Sequence, residues 1–93
     1  DKKTQEFYER LKEELDNANV WPAEYLFKFI VPTENDNVKF VENAFNDLGA
    51  VIKTTKSKNE KFTSISVNVR MKSSQSIIDK YLEVSAVPGI ISL

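Results

Sequence analysis

The chain has 93 residues, enough for one hydrophobic core and too few for two. It is 41% hydrophobic and 29% charged, with six Phe, three Tyr and one Trp, the composition of a folded globular domain rather than a disordered segment. A formal net charge of -1 offers no global basic field for nucleic acid or anionic lipid, and the absence of Cys and His excludes disulfides, thiol nucleophiles, imidazole acid–base chemistry and the common zinc sites.

Residues 4–16 read as a helix in which Phe7, Leu11 and Leu15 recur every four positions as one apolar stripe. Asn17, Ala18 and Asn19 break that pattern, and Trp21-Pro22 forces an extended backbone into the next segment. Residues 24–31 read as a strand with Tyr25, Phe27, Phe29 and Val31 on a core face and Leu26, Lys28 and Ile30 on the other. Pro32 closes it, and the polar loop after it offers Asn35 or Asp36 as a helix N-cap. Residues 37–48 form the next helix, its inner face made of Val38, Val41, Ala44, Phe45 and Leu48, with Gly49 as a left-handed C-cap.

Residues 50–57 read as a second strand, and Lys58-Asn59-Glu60 as its turn. Residues 61–71 carry the clearest alternation, Ile65, Val67, Val69 and Met71 against Ser64, Ser66, Asn68 and Arg70. Ser73 or Ser74 caps a helix that ends near Ser85 and buries Ile77, Ile78, Tyr81 and Leu82. Pro88-Gly89 then turns the chain into a short strand, Ile90 to Leu93. After the first helix the order is therefore β-α-β-β-α-β, an α+β, ferredoxin-like sandwich with two helices on one face of a four-stranded antiparallel sheet. Right-handed crossovers give the strand order 4-1-3-2, with the lysine-bearing second strand at an edge. The division expected is a helical extension over residues 1–20 and the ferredoxin-like domain over residues 21–93.

From Trp21 onward the chain resembles the YbeD-like family of small bacterial domains of unknown function. The resemblance rests on Trp21-Pro22 before Tyr25-Leu26-Phe27-Lys28-Phe29, on Ser57-Lys58 leading through a turn to Phe62, Ser64 and Ser66, and on the Ser-rich start of the last helix. Where the family has Gly after the Ser-Lys pair this chain has Asn59, which tolerates left-handed geometry, and the turn is one residue longer. The resemblance implies an ACT-like fold with a regulatory or binding role. It transfers no catalytic residue, and the helix of residues 4–16 lies outside it.

Other functions housed on this topology leave residues that are missing here. An RNA-recognition domain needs stacking aromatics on its open face, where this chain has Leu26, Lys28, Ile30, Ser64, Ser66, Asn68 and Arg70. A copper chaperone needs a Cys pair, and an acylphosphatase needs an Arg-bearing phosphate loop after the first strand, where Val31 to Asn37 has neither Gly nor Arg. Amino-acid-binding ACT domains use a Gly in that same loop; here Glu34 and Asp36 stand there and repel a ligand carboxylate. Those two acids read better as a solvated loop than as a hard-metal or acid–base pair.

Two surfaces remain as candidates. The open sheet face is an interaction face, because Leu26 and Ile30 are apolar on the side away from the crossover helices. Lys53, Lys56, Lys58 and Lys61 gather around the second strand as an anion or partner patch, opposed only by Glu60. The stripe of the first helix is expected to cover the open face of its own sheet or of a neighbouring subunit's. Together these features imply a non-catalytic regulatory or protein-interaction module that acts through self-association or a protein partner. The alternative is an ACT-like sensor of a small molecule. No cofactor, metal, nucleic acid or membrane is expected. The lack of Cys and of any visible signal peptide implies the cytoplasm.

Overall fold

A computed structural model describes all residues, Asp1–Leu93. Its elements run α1 (Lys2–Ala18), β1 (Ala23–Pro32), α2 (Asn37–Ala44), β2 (Val51–Lys56), β3 (Phe62–Met71), α3 (Ser74–Val84) and β4 (Ile91–Ser92). The four strands form one antiparallel sheet in the order β2-β3-β1-β4, which is the expected 4-1-3-2 read from the other edge. The fold is the ferredoxin-like α+β sandwich with an N-terminal helix. No helix is long and apolar enough to cross a membrane.

β1 and β3 pair along ten positions, with Phe29 opposite Ile65 and Phe27 opposite Val67. Residues directly opposite in an antiparallel pair share a face. Phe27, Phe29 and Val31 therefore lie beside Ile65, Val67 and Val69 beneath the helices, and all six are buried. Val41 and Ala44 of α2 and Phe45 just after it close the core, with Ile77 and Val84 from α3. The aromatic rings mesh, Phe27 lying 4.9 Å from the tilted Phe45 ring and 5.2 Å, edge-on, from Tyr81 between centroids.

Several local expectations are corrected. α2 ends at Ala44, not residue 48, and a run of turns with Asp47 at φ 64° carries the chain to Gly49 at φ 71°. Leu48 consequently leaves the helical face and is exposed. Asp36 occupies the N-cap position of α2 in left-handed geometry without a side-chain cap bond; Asn37 Nδ2 instead donates to the Pro32 carbonyl at 3.0 Å. At α3 it is Ser73 that caps, in a reciprocal capping box with Ser76. Leu82 is not part of the buried stripe but lines a shallow groove between α3 and α1.

α1 does not cover the open face of its own sheet. It packs against α3, on the helical side, with Leu15 in the main core and Leu11 against it. Its C-terminal end is tied to the start of the domain, since the Trp21 indole N–H donates to Asp16 Oδ1 at 2.9 Å. Phe7, the first member of the stripe, remains 55% exposed.

Candidate interaction face

With all three helices on one side, the other side of the sheet has no covering layer. Register builds it row by row across β2, β3, β1 and β4. Val51, Asn68 and Leu26 form one row, Lys53, Ser66 and Lys28 the next, and Thr55, Ser64, Ile30 and Ile91 a third. Phe62 lies opposite Pro32 at the end of β3, and Arg70 opposite Glu24 at the other. All seven residues selected from alternation, Leu26, Lys28, Ile30, Ser64, Ser66, Asn68 and Arg70, thus share this face.

The face is more apolar than those seven residues suggest. Leu26, Val51, Phe62, Ile91 and Leu93 are each at least 45% exposed. Ile30, Phe62 and Ile91 line a depression of about 450 Å³ with Thr55 and Ser64. A second depression of about 400 Å³ lies between Leu26, Val51, Lys28 and Lys53. Phe62, Val51 and Ile91 were not selected from the sequence, although one signal was available. Phe62 has the parity of Ser64, so the alternation of β3 already assigns it to the wet face. Val51 and Ile91 sit beside apolar Ile52 and Ile90, and no alternation separates the two faces there.

The four lysines do not form one patch. Lys53 stands on the open face, across Ser66 from Lys28. Lys56 lies opposite buried Thr63 by register, yet it borders the depression of Ile30, Phe62 and Ile91 at the sheet edge, and its ammonium is 3.8 Å from Glu60. Lys61 lines a separate depression with Glu34 and Glu60. Lys58 sits in the turn. That turn is held by side chains: Ser57 Oγ donates to Asn59 Oδ1 at 2.9 Å, and Asn59 Oδ1 also accepts from the Lys61 amide at 3.0 Å. Ser57 Oγ accepts from the Phe62 amide at 3.1 Å. The left-handed residue is Glu60, at φ 60°, and Asn59 acts through its side chain.

The polar groups elsewhere are structural in their surroundings. The Tyr25 and Tyr81 hydroxyls are 2.8 Å apart at the margin of the core. Burial, and secondarily the bond to Tyr25, push the Tyr81 phenol well above its ordinary range, so it stays protonated. Asp16 is shifted the other way, its carboxylate favoured first by the Ser74 hydroxyl and then by the Trp21 indole, with Lys12 adding to both. Glu34 and Asp36 lie in a loop with two consecutive left-handed residues, Asn35 at φ 61° and Asp36 at φ 58°. No group of three or more His, Cys, Asp or Glu side chains converges there or elsewhere. What the open face can do chemically is bury apolar area and pair ammonium groups with carboxylates.

The model of a family described as "Protein of unknown function (DUF493)" matches residues 16–93. No curated protein and no solved structure matches the chain.

Proposed function

The chain belongs to this DUF493 family, the YbeD-like domains of unknown function, and we propose that it is a non-catalytic interaction module whose open sheet face binds a protein partner. The supporting observation is the set of exposed apolar side chains, Leu26, Val51, Phe62, Ile91 and Leu93, on the one face that no helix covers. Removing apolar area from water yields about 25 cal/mol per Å², so a partner that covers these residues gains from each of them. Charge selects the partner. Lys28, Lys53 and Arg70 outnumber Glu24 on this face, and two copies face to face bring cation against cation. The partner surface therefore combines apolar side chains with carboxylates. A regulatory, ACT-like role in a bacterial protein completes the proposal and is supported by the family resemblance; a cytoplasmic setting is supported by the lack of Cys.

The test is quantitative capture of a defined complex from cell extract by the intact chain. Ile91→Asp is expected to abolish the complex and Lys28→Glu to weaken it, while Phe7→Asp, on α1, leaves it unchanged. Capture that is indifferent to Ile91→Asp and Lys28→Glu overturns the reading. Thermal stabilisation by a free metabolite, with no protein complex formed, transfers the role to small-molecule sensing.

A further inference from the structure

β1 is fully paired on one side and nearly bare on the other. β3 stands opposite every residue from Ala23 to Pro32, whereas β4 pairs only with Phe29 and Ile30. The Leu93 amide donates to the Lys28 carbonyl at 2.9 Å, and no residue of β4 lies opposite Leu26 or Glu24. That bond also fixes which way the backbone groups point. Successive residues of a strand direct their amide and carbonyl to alternate sides, so the even-numbered residues of β1 direct theirs away from β3. The Thr33 amide, bonded at 2.9 Å to the Lys61 carbonyl just before β3, shows the odd-numbered set facing the other way. Glu24 and Leu26, both exposed, therefore present two amides and two carbonyls along a free edge in line with β4.

The outer edge of β2 is also free, but its chemistry differs. It carries Lys53 and Lys56 and runs on to Lys58, charges that resist a further strand. The bare stretch of β1, Ala23-Glu24-Tyr25-Leu26-Phe27, contains no lysine, and its Leu26 belongs to the exposed apolar face. We infer that this edge takes an extended segment of the partner protein as an added strand beside β4. The inference rests on the reading of the open face as a docking surface and names how the partner engages it. Charge sets the composition of the segment. Glu24, the one charge of the bare stretch, lies opposite Arg70, while Lys28 follows Leu26 along the edge and Lys53 lies one further step across Ser66; cations thus outnumber the acid, and the segment alternates apolar side chains with carboxylates.

Three short synthetic peptides, alternating valine with aspartate, serine or lysine, test this on the full chain by titration and amide hydrogen exchange. The aspartate peptide is expected to bind most tightly and to slow exchange at Glu24 and Leu26 by about tenfold or more, leaving Ile52 and Thr54 of β2 unchanged. Leu26→Pro deletes a donor on the free edge without removing a β1–β3 bond, and lowers affinity by about tenfold; Leu26→Ala, which keeps the amide, lowers it by less than about threefold. Where Leu26→Pro does not fold, Glu24→Pro deletes the neighbouring edge donor. Binding without protection of Glu24 and Leu26, or no binding by any of the three peptides, overturns the added strand. So does protection that appears on raising the protein concentration alone, which makes a second copy the occupant. The face reading fails separately, through indifference of the captured complex to Ile91→Asp.

Discussion

Asp16 joins α1 to the start of the sheet domain through one carboxylate. It accepts from the Trp21 indole and stands beside Ser74, a buried hydroxyl at the start of α3. These donors hold its pKa below the ordinary value of 3.8. The folded group therefore binds its proton less readily than the unfolded one. Its stabilisation is complete above the ordinary value and is lost as pH falls through the lowered one. Asp16→Asn should lower the Tm near neutral pH, with the gap to the parent protein closing as acid is added, read by thermal scans across the acid range. The phenol pair offers a second measurement. Tyr81→Phe leaves the Tyr25 hydroxyl without its partner and should cost about 0.5–1.5 kcal/mol in urea unfolding. Glu60 points the other way. An L side chain at φ 60° is strained and glycine is not, so Glu60→Gly should stabilise by up to about 1 kcal/mol. The ion pair lost with it is exposed on both sides and contributes little.

α1 shows what an apolar stripe does and does not reveal. Spacing of four marks Phe7, Leu11 and Leu15 as one side of a helix, but nothing in that spacing names the surface it meets. The helix meets α3, and its stripe is buried only toward its C-terminal end. Leu15→Ala should cost about 2–4 kcal/mol in denaturant unfolding, and Leu11→Asp should destabilise without changing the mass in solution. Phe7→Asp should cost less than about 0.5 kcal/mol. The early end of α2 was hidden for a related reason. Leu48 continues the apolar spacing past Ala44, yet Phe45 already completes the inner face, and Lys80 of α3 donates to the Ala44 carbonyl and lies over the Phe45 ring. A tertiary contact thus satisfies the last turn, and no local pattern encodes it. Strand pairing was legible where alternation ran long, at Tyr25–Val31 and at Ser64–Met71. It was illegible in β4, where two paired residues are too few to show a period.

At the scale of the whole molecule the two faces of the sheet have separate tasks, one filled by the core and the other wet. Substitutions on the wet face should therefore separate binding from stability. Leu26→Asp and Ile91→Asp are expected to shift unfolding by less than about 0.5 kcal/mol each, since both side chains are already half in water, while abolishing the captured complex. The face was readable as a wet side from residue parity. Its apolar reach from Val51 to Ile91 emerges only when four separate segments are laid side by side. The same sheet order has a consequence for synthesis. β1 is central, yet its long partner is β3, and Phe29 meets Ile65 only after both β2 and α2 have been made. A ribosome thus releases the most aromatic segment of the chain well before the segment that shields it. During that interval the nascent polypeptide carries Phe27 and Phe29 unprotected, and chaperones that hold apolar segments have their natural window of engagement there.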